Sequence, residues 1–383
     1  MISTTRVTQP AEIPESKMQS NRYDVVVVGS GIAGLTAAAI AARQSQTVAL
    51  IATGPGAIAL SHGWLKAEQI DPPSAATDLS EAIAFFCELA CLAGYPLAGD
   101  IANPRSLPTH LGSFESVAFA PQRLWNAAAP GADSTAIVGI RGLSSFDENF
   151  MADRLNERAH MARCRRSYAA RQIMLRRDFG IPATALQIAV CFDRDADFRA
   201  EFIDTLRSAA SGFERILLPG ILGLHSSEQQ IVELEQELGC SVCEVPTLPP
   251  CIPGLRLFHR LESYLHSIGV ELFRGYPVQS LHLRDGLCVG LDIAAPGHGI
   301  TLHGQSVVLA AGRRFAQIMG EASASCDEQM RPLSSTGAVM AQNLYFAGSL
   351  PDNRTGNNGD MMKILSGYRA GTFAATTRGA YAS

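Results

Sequence analysis

The residues Gly29-Ser30-Gly31-Ile32-Ala33-Gly34 fit the spacing G-x-G-x-x-G. Each glycine has a separate physical task. Gly29 permits a tight turn, Gly31 lets backbone approach a phosphate, and Gly34 lets a helix pack closely on a strand. The phosphate then rests on free amides at the positive end of the helix dipole. The spacing carries weight only between a strand and a helix, and both are predicted. Tyr23 to Val28 places four consecutive valines behind Asp24, a buried parallel-strand pattern, and Leu35 to Arg43 is an alanine-rich helix. A structural glycine turn that holds nothing is the alternative.

The next strand, Thr47 to Ile51, sharpens the chemistry. A dinucleotide fold usually ends this strand in an acid that binds the adenosine ribose. Here it runs Leu50-Ile51-Ala52-Thr53-Gly54, without Asp or Glu. A phosphate turn without a ribose acid suits FMN, which has one phosphate and no adenosine. The alternative is FAD with its ribose held by backbone or water.

Other candidates lie further along. Ser61-His62-Gly63 is a small-residue segment able to lie against a flat ring, although His62 by itself reads first as an ordinary loop histidine. Small residues end the late strands at Ala311, Gly312 and Gly348. A final helix from Asp360 to about Thr376 has Gly359, Asp360 and Met361 at its start. Its N-terminal amides suit the N1–C2 edge of a flavin, where reduction places negative charge. Lys363, one turn inside, reads as a solvated lysine or an added cation. These segments, with Gly29, Ser30, Gly31, Ile32, Ala33 and Gly34, make up the expected cofactor site. Arg141, Arg256, His225 and Arg354 can each bind a phosphate or carboxylate, and no catalytic residue stands out. Cys240-Ser241-Val242-Cys243 flanks a predicted strand, where the two thiols point to opposite faces, so packing is expected rather than a metal. The eight arginines from Arg154 to Arg177 read as a solvated helix face.

The elements that position these residues form a pattern. Rossmann-like strands open the chain and return only after residue 300, with Gln305 to Ala310 and Asn343 to Phe346. Between them lie helices at 74–92 (with Ser74 as cap), 146–162, 198–210, 228–238 and 255–268, and strands at 134–140, 215–218 and 241–245. Strands follow from Glu271 to Ala310, with turns at Arg284-Asp285-Gly286 and Pro296-Gly297. The fold class is α/β: a Rossmann-like bipartite flavin-binding domain with an inserted capping domain. The expected divisions are a flexible tail at 1–22, a first flavin part at 23–100, an inserted region at 101–300, and a second flavin part at 301–383.

Composition sets bounds on partners. The chain has 383 residues, 47% hydrophobic and 17% charged, with a net charge of −5. A low charge content implies much buried surface, and the negative balance gives no reason to expect nucleic acid or an anionic bilayer. The nine cysteines are irregularly spaced, which fits a reducing cytoplasm better than a disulfide framework. The apolar run Val25 to Ala42 contains Gly29, Gly31 and Gly34 and reads as the βαβ turn rather than a membrane span.

Several segments together resemble the B subunit of bacterial anaerobic glycerol-3-phosphate dehydrogenase. They are Pro246-Thr247-Leu248-Pro249-Pro250, Pro253-Gly254-Leu255-Arg256-Leu257, Ile137 to Leu143, the glycine turn, and Asn343 to Ser349. The likeness runs in order from about residue 23 to 378, and the proline-rich segment is its most particular part. The resemblance implies membership of the flavoprotein group that includes succinate dehydrogenase and fumarate reductase. It implies FMN in this chain, an FAD-bearing dehydrogenase partner that turns glycerol 3-phosphate into dihydroxyacetone phosphate, and an iron–sulfur partner that passes electrons to quinone. It places the chain in the cytoplasm, at the inner membrane only through a partner. Two segments depart from the family pattern. Leu60-Ser61-His62-Gly63-Trp64-Leu65-Lys66 replaces a serine- and glycine-rich stretch with a following aspartate, and Gly356-Asn357-Asn358-Gly359-Asp360-Met361-Met362-Lys363 replaces a glycine run. The competing readings are a stand-alone FAD enzyme of the fumarate reductase type and a scaffold subunit with a decayed flavin site.

Overall fold

The computed structural model describes residues 21–44, 46–67, 76–129, 133–295, 298–319, 325–349 and 359–377. In chain order, β1 (Arg22–Val28), α1 (Ile32–Arg43) and β2 (Val48–Ala52) come first. They are followed by β3 (Leu65–Lys66), α2 (Ala76–Leu92), β4 (Leu97–Gly99), β5 (Arg105–Pro108), β6 (Phe114–Pro121) and the single turn α3 (Gln122–Trp125). Next are β7 (Ser134–Ile140), α4 (Glu148–Met161), β8 (Ser167–Ile173), α5 (Ala185–Arg194), α6 (Ala196–Ala210), β9 (Arg215–Pro219), α7 (Glu228–Leu238) and β10 (Ser241–Val245). The last are α8 (Ile252–Ser267), β11 (Glu271–Arg274), β12 (Val278–Arg284), β13 (Leu287–Ala295), β14 (His298–Leu309), α9 (Phe315–Met319), β15 (Leu344–Phe346) and α10 (Asp360–Thr376).

Contacts divide the chain into two units, one drawn from 1–56, 78–83 and 265–383, the other from 57–77 and 84–264. The first is built on a sheet ordered β11-β2-β1-β14-β13-β12, with β15 also pairing β14. Its valine run explains the arrangement. Val25, Val26 and Val27 are wholly buried, so β1 needs neighbours on both edges and cover on both faces. The edges are parallel pairings with β2 (Val25↔Val48) and β14 (Val28↔Leu309). β14 is long enough to serve two partners: its first half pairs antiparallel with β13, its second half parallel with β1 and β15. One face is covered by α1 and α10. Small residues let the two helices approach: a Cβ on Gly367 would lie 2.3 Å from the carbonyl oxygen of Ala33, and one on Gly371 2.8 Å from the Cα of Ala37. The register rises in the same direction along both helices, so they run parallel. Asn343 pins the late strands. Its side-chain oxygen accepts from the Cys288 amide at 2.7 Å, and its amide group donates to the carbonyls of Cys288 and Gln305.

The second unit contains a parallel sheet ordered β10-β9-β7-β8 and a small antiparallel sheet of β3, β4, β5 and β6. In the parallel sheet the chain runs β7 to β8 on one side, then crosses to β9 and β10 on the other. This is a second doubly wound unit with its own core, centred on Ile137, Val138, Leu217 and Val242.

The α/β, Rossmann-like reading holds, with revisions. Residues 265–300, assigned from sequence to the inserted region, supply β11, β12, β13 and the start of β14 to the first unit's sheet. Residues 57–77 and 84–100, assigned to the flavin part, fall in the second unit. The helix after the glycine turn starts at Ile32, inside the motif. The arginine-rich stretch is not one helix face: it spans the end of α4 and the edge strand β8, whose side chains are mostly half-buried or exposed. The expected cap Ser74, the turn Pro296-Gly297 and most of the tail lie outside the described residues.

Candidate functional site

The first unit gathers most of the glycine positions. Gly29 has φ +112°, and a Cβ there would sit 2.3 Å from the Ala310 carbonyl oxygen. A Cβ on Gly34 would sit 1.8 Å from the Gly29 carbonyl oxygen. Both glycines are therefore required by backbone packing between β1, β14 and α1. Gly31 differs. It is the N-cap of α1, it makes no side-chain cap hydrogen bond, and a Cβ there would meet nothing within 4 Å. Backbone is thus exposed to open space at a helix N-terminus with no acid in its first turn. Ser30 is buried, and its hydroxyl donates to the Gly54 carbonyl at 2.7 Å. Gly56 closes the same loop onto Gly31, so the end of β2 is fastened to the turn. Ile32 and Ala33 are buried, Ala33 against Gly367 of α10.

Three further expected segments come to the same edge. Ala310 donates its amide to the Val28 carbonyl at 2.7 Å, which sets Ala311 and Gly312 beside the end of β1. Gly348, at φ +108°, stands with its would-be Cβ 4.0 Å from the Ala33 Cβ, and its amide donates to the Ser366 hydroxyl at 2.8 Å. Gly359 is the N-cap of α10 and also lacks a side-chain cap. Because α10 runs parallel to α1 with Gly367 opposite Ala33, its start overhangs α1 by roughly six residues, about 9 Å at 1.5 Å per residue. Two helix N-termini therefore open in the same direction. At the start of α10, Asp360 pairs with the partly exposed Lys363 at 3.0 Å, so the lysine's charge is already matched. Met361 is buried.

Ser61, His62 and Gly63 belong to the second unit. Gly63 has φ +72°, and its would-be Cβ would collide with Pro253 backbone at 2.6 Å and with the Tyr95 hydroxyl at 2.7 Å. A Cβ on Gly254 would lie 2.2 Å from the Ser61 carbonyl oxygen. The proline-rich segment thus packs on this loop, and Gly63 has a packing reason to be glycine. His62 Nδ1 faces Glu115 Oε2 at 3.7 Å.

The charged candidates separate cleanly. Arg256 is buried and committed. It holds Glu244 at 2.8 Å and donates to the Gly223 carbonyl at 2.7 and 2.9 Å. Glu244 also accepts the amides of Ile221 and Leu222, and Arg123 stands 3.7 Å away. Arg141 is exposed, and among the described residues its guanidinium reaches only the sulfur of Met174. His225 donates its amide to Asp193 and accepts from Arg260 through its carbonyl. Arg354 lies outside the described residues. Burial pushes the Cys243 thiol up to about 12, which leaves it unreactive at neutral pH. Among the described residues no group of three His, Cys, Asp or Glu is placed to hold a metal, and no helix is long and apolar enough to cross a membrane.

This geometry defines a flavin-binding domain of the Rossmann-like class. Residues 24–87 match the family model described as "FAD binding domain". Beyond that stretch, the chain is 28% identical over 330 residues to the B subunit of anaerobic glycerol-3-phosphate dehydrogenase from Pectobacterium carotovorum subsp. carotovorum (strain PC1), covering 77% of this chain and 76% of that one. It is 27% identical over 326 residues to the protein of the same name in Yersinia pestis bv. Antiqua (strain Antiqua), with the same coverage. Among solved structures it is similar to 3-ketosteroid delta1-dehydrogenase from Sterolibacterium denitrificans, at 19% identity and a TM-score of 0.31. That match covers 76% of this chain and about half, 48%, of the other. The likeness read from the sequence is borne out by these glycerol-3-phosphate dehydrogenase relatives. The preference for FMN is not: the matched domain is an FAD domain, which supports the alternative.

The turn fits such a group. Gly31 leaves open space where a phosphate approaches, and both helix starts are uncapped. At the end of β2, where an acid commonly binds ribose, Thr53 is met by Arg314 at 3.5 Å.

Proposed function

We propose that this chain is the flavin-bearing subunit of a multi-subunit dehydrogenase of the anaerobic glycerol-3-phosphate type, with FAD as its flavin. The observation that carries this is the pair of parallel, uncapped helix starts beside a glycine turn open only at Gly31. In this reading the amides from Gly31 to Gly34 hold the pyrophosphate. The Thr53 hydroxyl and the Gly54 backbone take the place of the missing ribose acid. Ala311, Gly312 and Gly348 give the ring close backbone, and the amides of Gly359, Asp360 and Met361 face its N1–C2 edge. Ser61, His62 and Gly63 belong to the second unit and are given no part in this reading. The bound flavin would supply two-electron acceptance from the FAD-bearing dehydrogenase partner and one-electron release to an iron–sulfur partner. The chain's own contribution is to bind and orient, and to stabilise negative charge on the reduced ring with the α10 dipole.

Partners follow from the same reading: an FAD-bearing dehydrogenase subunit and an iron–sulfur subunit, with quinone in the membrane as acceptor. A chain with only 17% charged residues is suited to large buried interfaces. Expressed alone, it is expected to oligomerise or aggregate. Co-expressed with the two partner subunits of its own genome, it is expected to co-elute with them in one size-exclusion peak. A monodisperse monomer that is fully active alone would overturn the subunit reading and favour a stand-alone enzyme.

A further inference from the structure

The end of β2 carries the reverse of the charge that a dinucleotide fold usually puts there. In place of an acid, the exposed Thr53 is met by the exposed guanidinium of Arg314 at 3.5 Å. Arg314 comes from across the sheet. In the strand order β2-β1-β14 it follows β14, whereas Thr53 follows β2. Adjacent strands lie about 4.8 Å apart, so the turn after β14 and the Arg314 side chain together span roughly 10 Å. They must cross in front of the end of β1, which is the glycine turn. The backbone sets this path: the chain bends at Gly312, whose φ is +55°, and the Arg314 amide donates back to the Ala311 carbonyl at 3.1 Å.

All of these residues belong to the first unit. A Cβ on Gly31, Gly54 or Gly312 would meet nothing within 4 Å, so the surface on each side of the guanidinium is open to a ligand. Among the described residues no carboxylate pairs with Arg314, whose contact is the Thr53 hydroxyl. A second guanidinium, that of Arg274, belongs to the residue in register with Ala52 at the same strand end. The amides at the start of α1 can seat one phosphate. A guanidinium beyond them offers a planar fork of donors that matches a further phosphate in shape and charge. FMN has one phosphate and FAD has two. The same donors suit ribose oxygens as acceptors, so recognition at this strand end runs through N–H groups rather than through a carboxylate.

We propose that Arg314 is the residue that selects FAD over FMN in this chain: its guanidinium holds the adenosine-side phosphate of the pyrophosphate, beside the amides of the glycine turn. The inference rests on the flavin reading and names what sets the choice of cofactor. The test is titration of the flavin-free full chain with FAD, FMN, ADP, AMP and adenosine 2′,5′-bisphosphate, followed by calorimetry. The native chain is expected to bind ADP at least tenfold more tightly than AMP. Arg314→Gln is expected to weaken FAD and ADP at least tenfold and FMN less than threefold, and Arg314→Lys to lose less than Arg314→Gln. Thr53→Glu puts the ordinary acid beside Arg314. An ordinary dinucleotide site would gain affinity from it; here it draws the guanidinium away from the phosphate, and FAD is expected to bind at least tenfold more weakly. Circular dichroism checks folding, and Thr53→Glu and Arg314→Lys keep the test decisive if Arg314→Gln unfolds. Four results would overturn the proposal. They are FAD affinity within threefold of native in Arg314→Gln, an equal loss of FMN and FAD, tighter FAD binding in Thr53→Glu, or the 2′,5′-bisphosphate binding more tightly than ADP, which would make this a seat for a ribose phosphate. ADP carries no flavin ring, and that keeps the two readings apart. ADP binding that depends on Arg314 in a chain that takes up no flavin sinks the flavin reading alone, and FAD held equally by native chain and Arg314→Gln sinks this one alone.

Discussion

Gly31→Glu is expected to leave the fold intact and to weaken flavin binding at least 100-fold, about 2.7 kcal/mol. The reason is local. A Cβ at Gly31 meets no atom within 4 Å, so the backbone tolerates a side chain. What it adds is a carboxylate where a phosphate must sit on helix amides, which replaces an attraction by a repulsion. Gly34→Ala is the contrasting variant. Its Cβ would lie 1.8 Å from the Gly29 carbonyl oxygen, a backbone atom that cannot swing aside. A loss of about 4 kcal/mol or more in stability is expected there, with flavin lost through unfolding. Urea denaturation followed by circular dichroism separates the two, since only Gly34→Ala should shift the midpoint strongly. If Gly31→Glu keeps its full flavin content, the phosphate lies elsewhere.

The second large effect is expected in the second unit. Glu244→Gln should cost roughly 3–5 kcal/mol, because it removes the only carboxylate within reach of the buried Arg256 guanidinium among the described residues. The variant should also change the pH dependence of stability. Burial alone pushes the Glu244 carboxyl up, but Arg256 and Arg123 together outweigh it and hold the group below its ordinary value of 4.5. A depressed carboxylate contributes stability that is fully present above the unfolded value and is lost as pH falls through the folded one. The native chain should therefore lose stability steeply below about pH 4.5, and Glu244→Gln should lack that part of the acid dependence. Urea midpoints from pH 3 to 7 check this, and equal slopes for both proteins would contradict it.

What the sequence disclosed follows the reach of each interaction. The β1–turn–α1 unit was legible because its glycines, valines and alanines are adjacent in the chain. So were β14, β15 and α10, whose apolar runs end in small residues. The place of β11 was not legible: it pairs with β2 through Glu271↔Ala49, and nothing local to either strand announces the other. Strand β8 was hidden because it carries Arg171 and follows Arg163, Arg165 and Arg166, and an edge strand with a half-exposed face need not look hydrophobic. Asn343 was seen only as the first residue of the last strand and as part of a family-like segment. Its role in fastening Cys288 and Gln305 is visible only once the strands are assembled. Arg256 looked like an anion-binding candidate because sequence cannot show that Glu244 already occupies it.

The central claim is that the glycine turn and the two helix starts hold a flavin, and that the flavin is FAD. The direct measurement is to purify the full chain, saturate it with FAD, remove excess by gel filtration, denature it and separate the released flavin against FMN and FAD standards. The account predicts FAD at close to one equivalent per chain, retained by the native protein and lost in Gly31→Glu. Absence of any flavin after saturation, or retention of FMN with rejection of FAD, would contradict it.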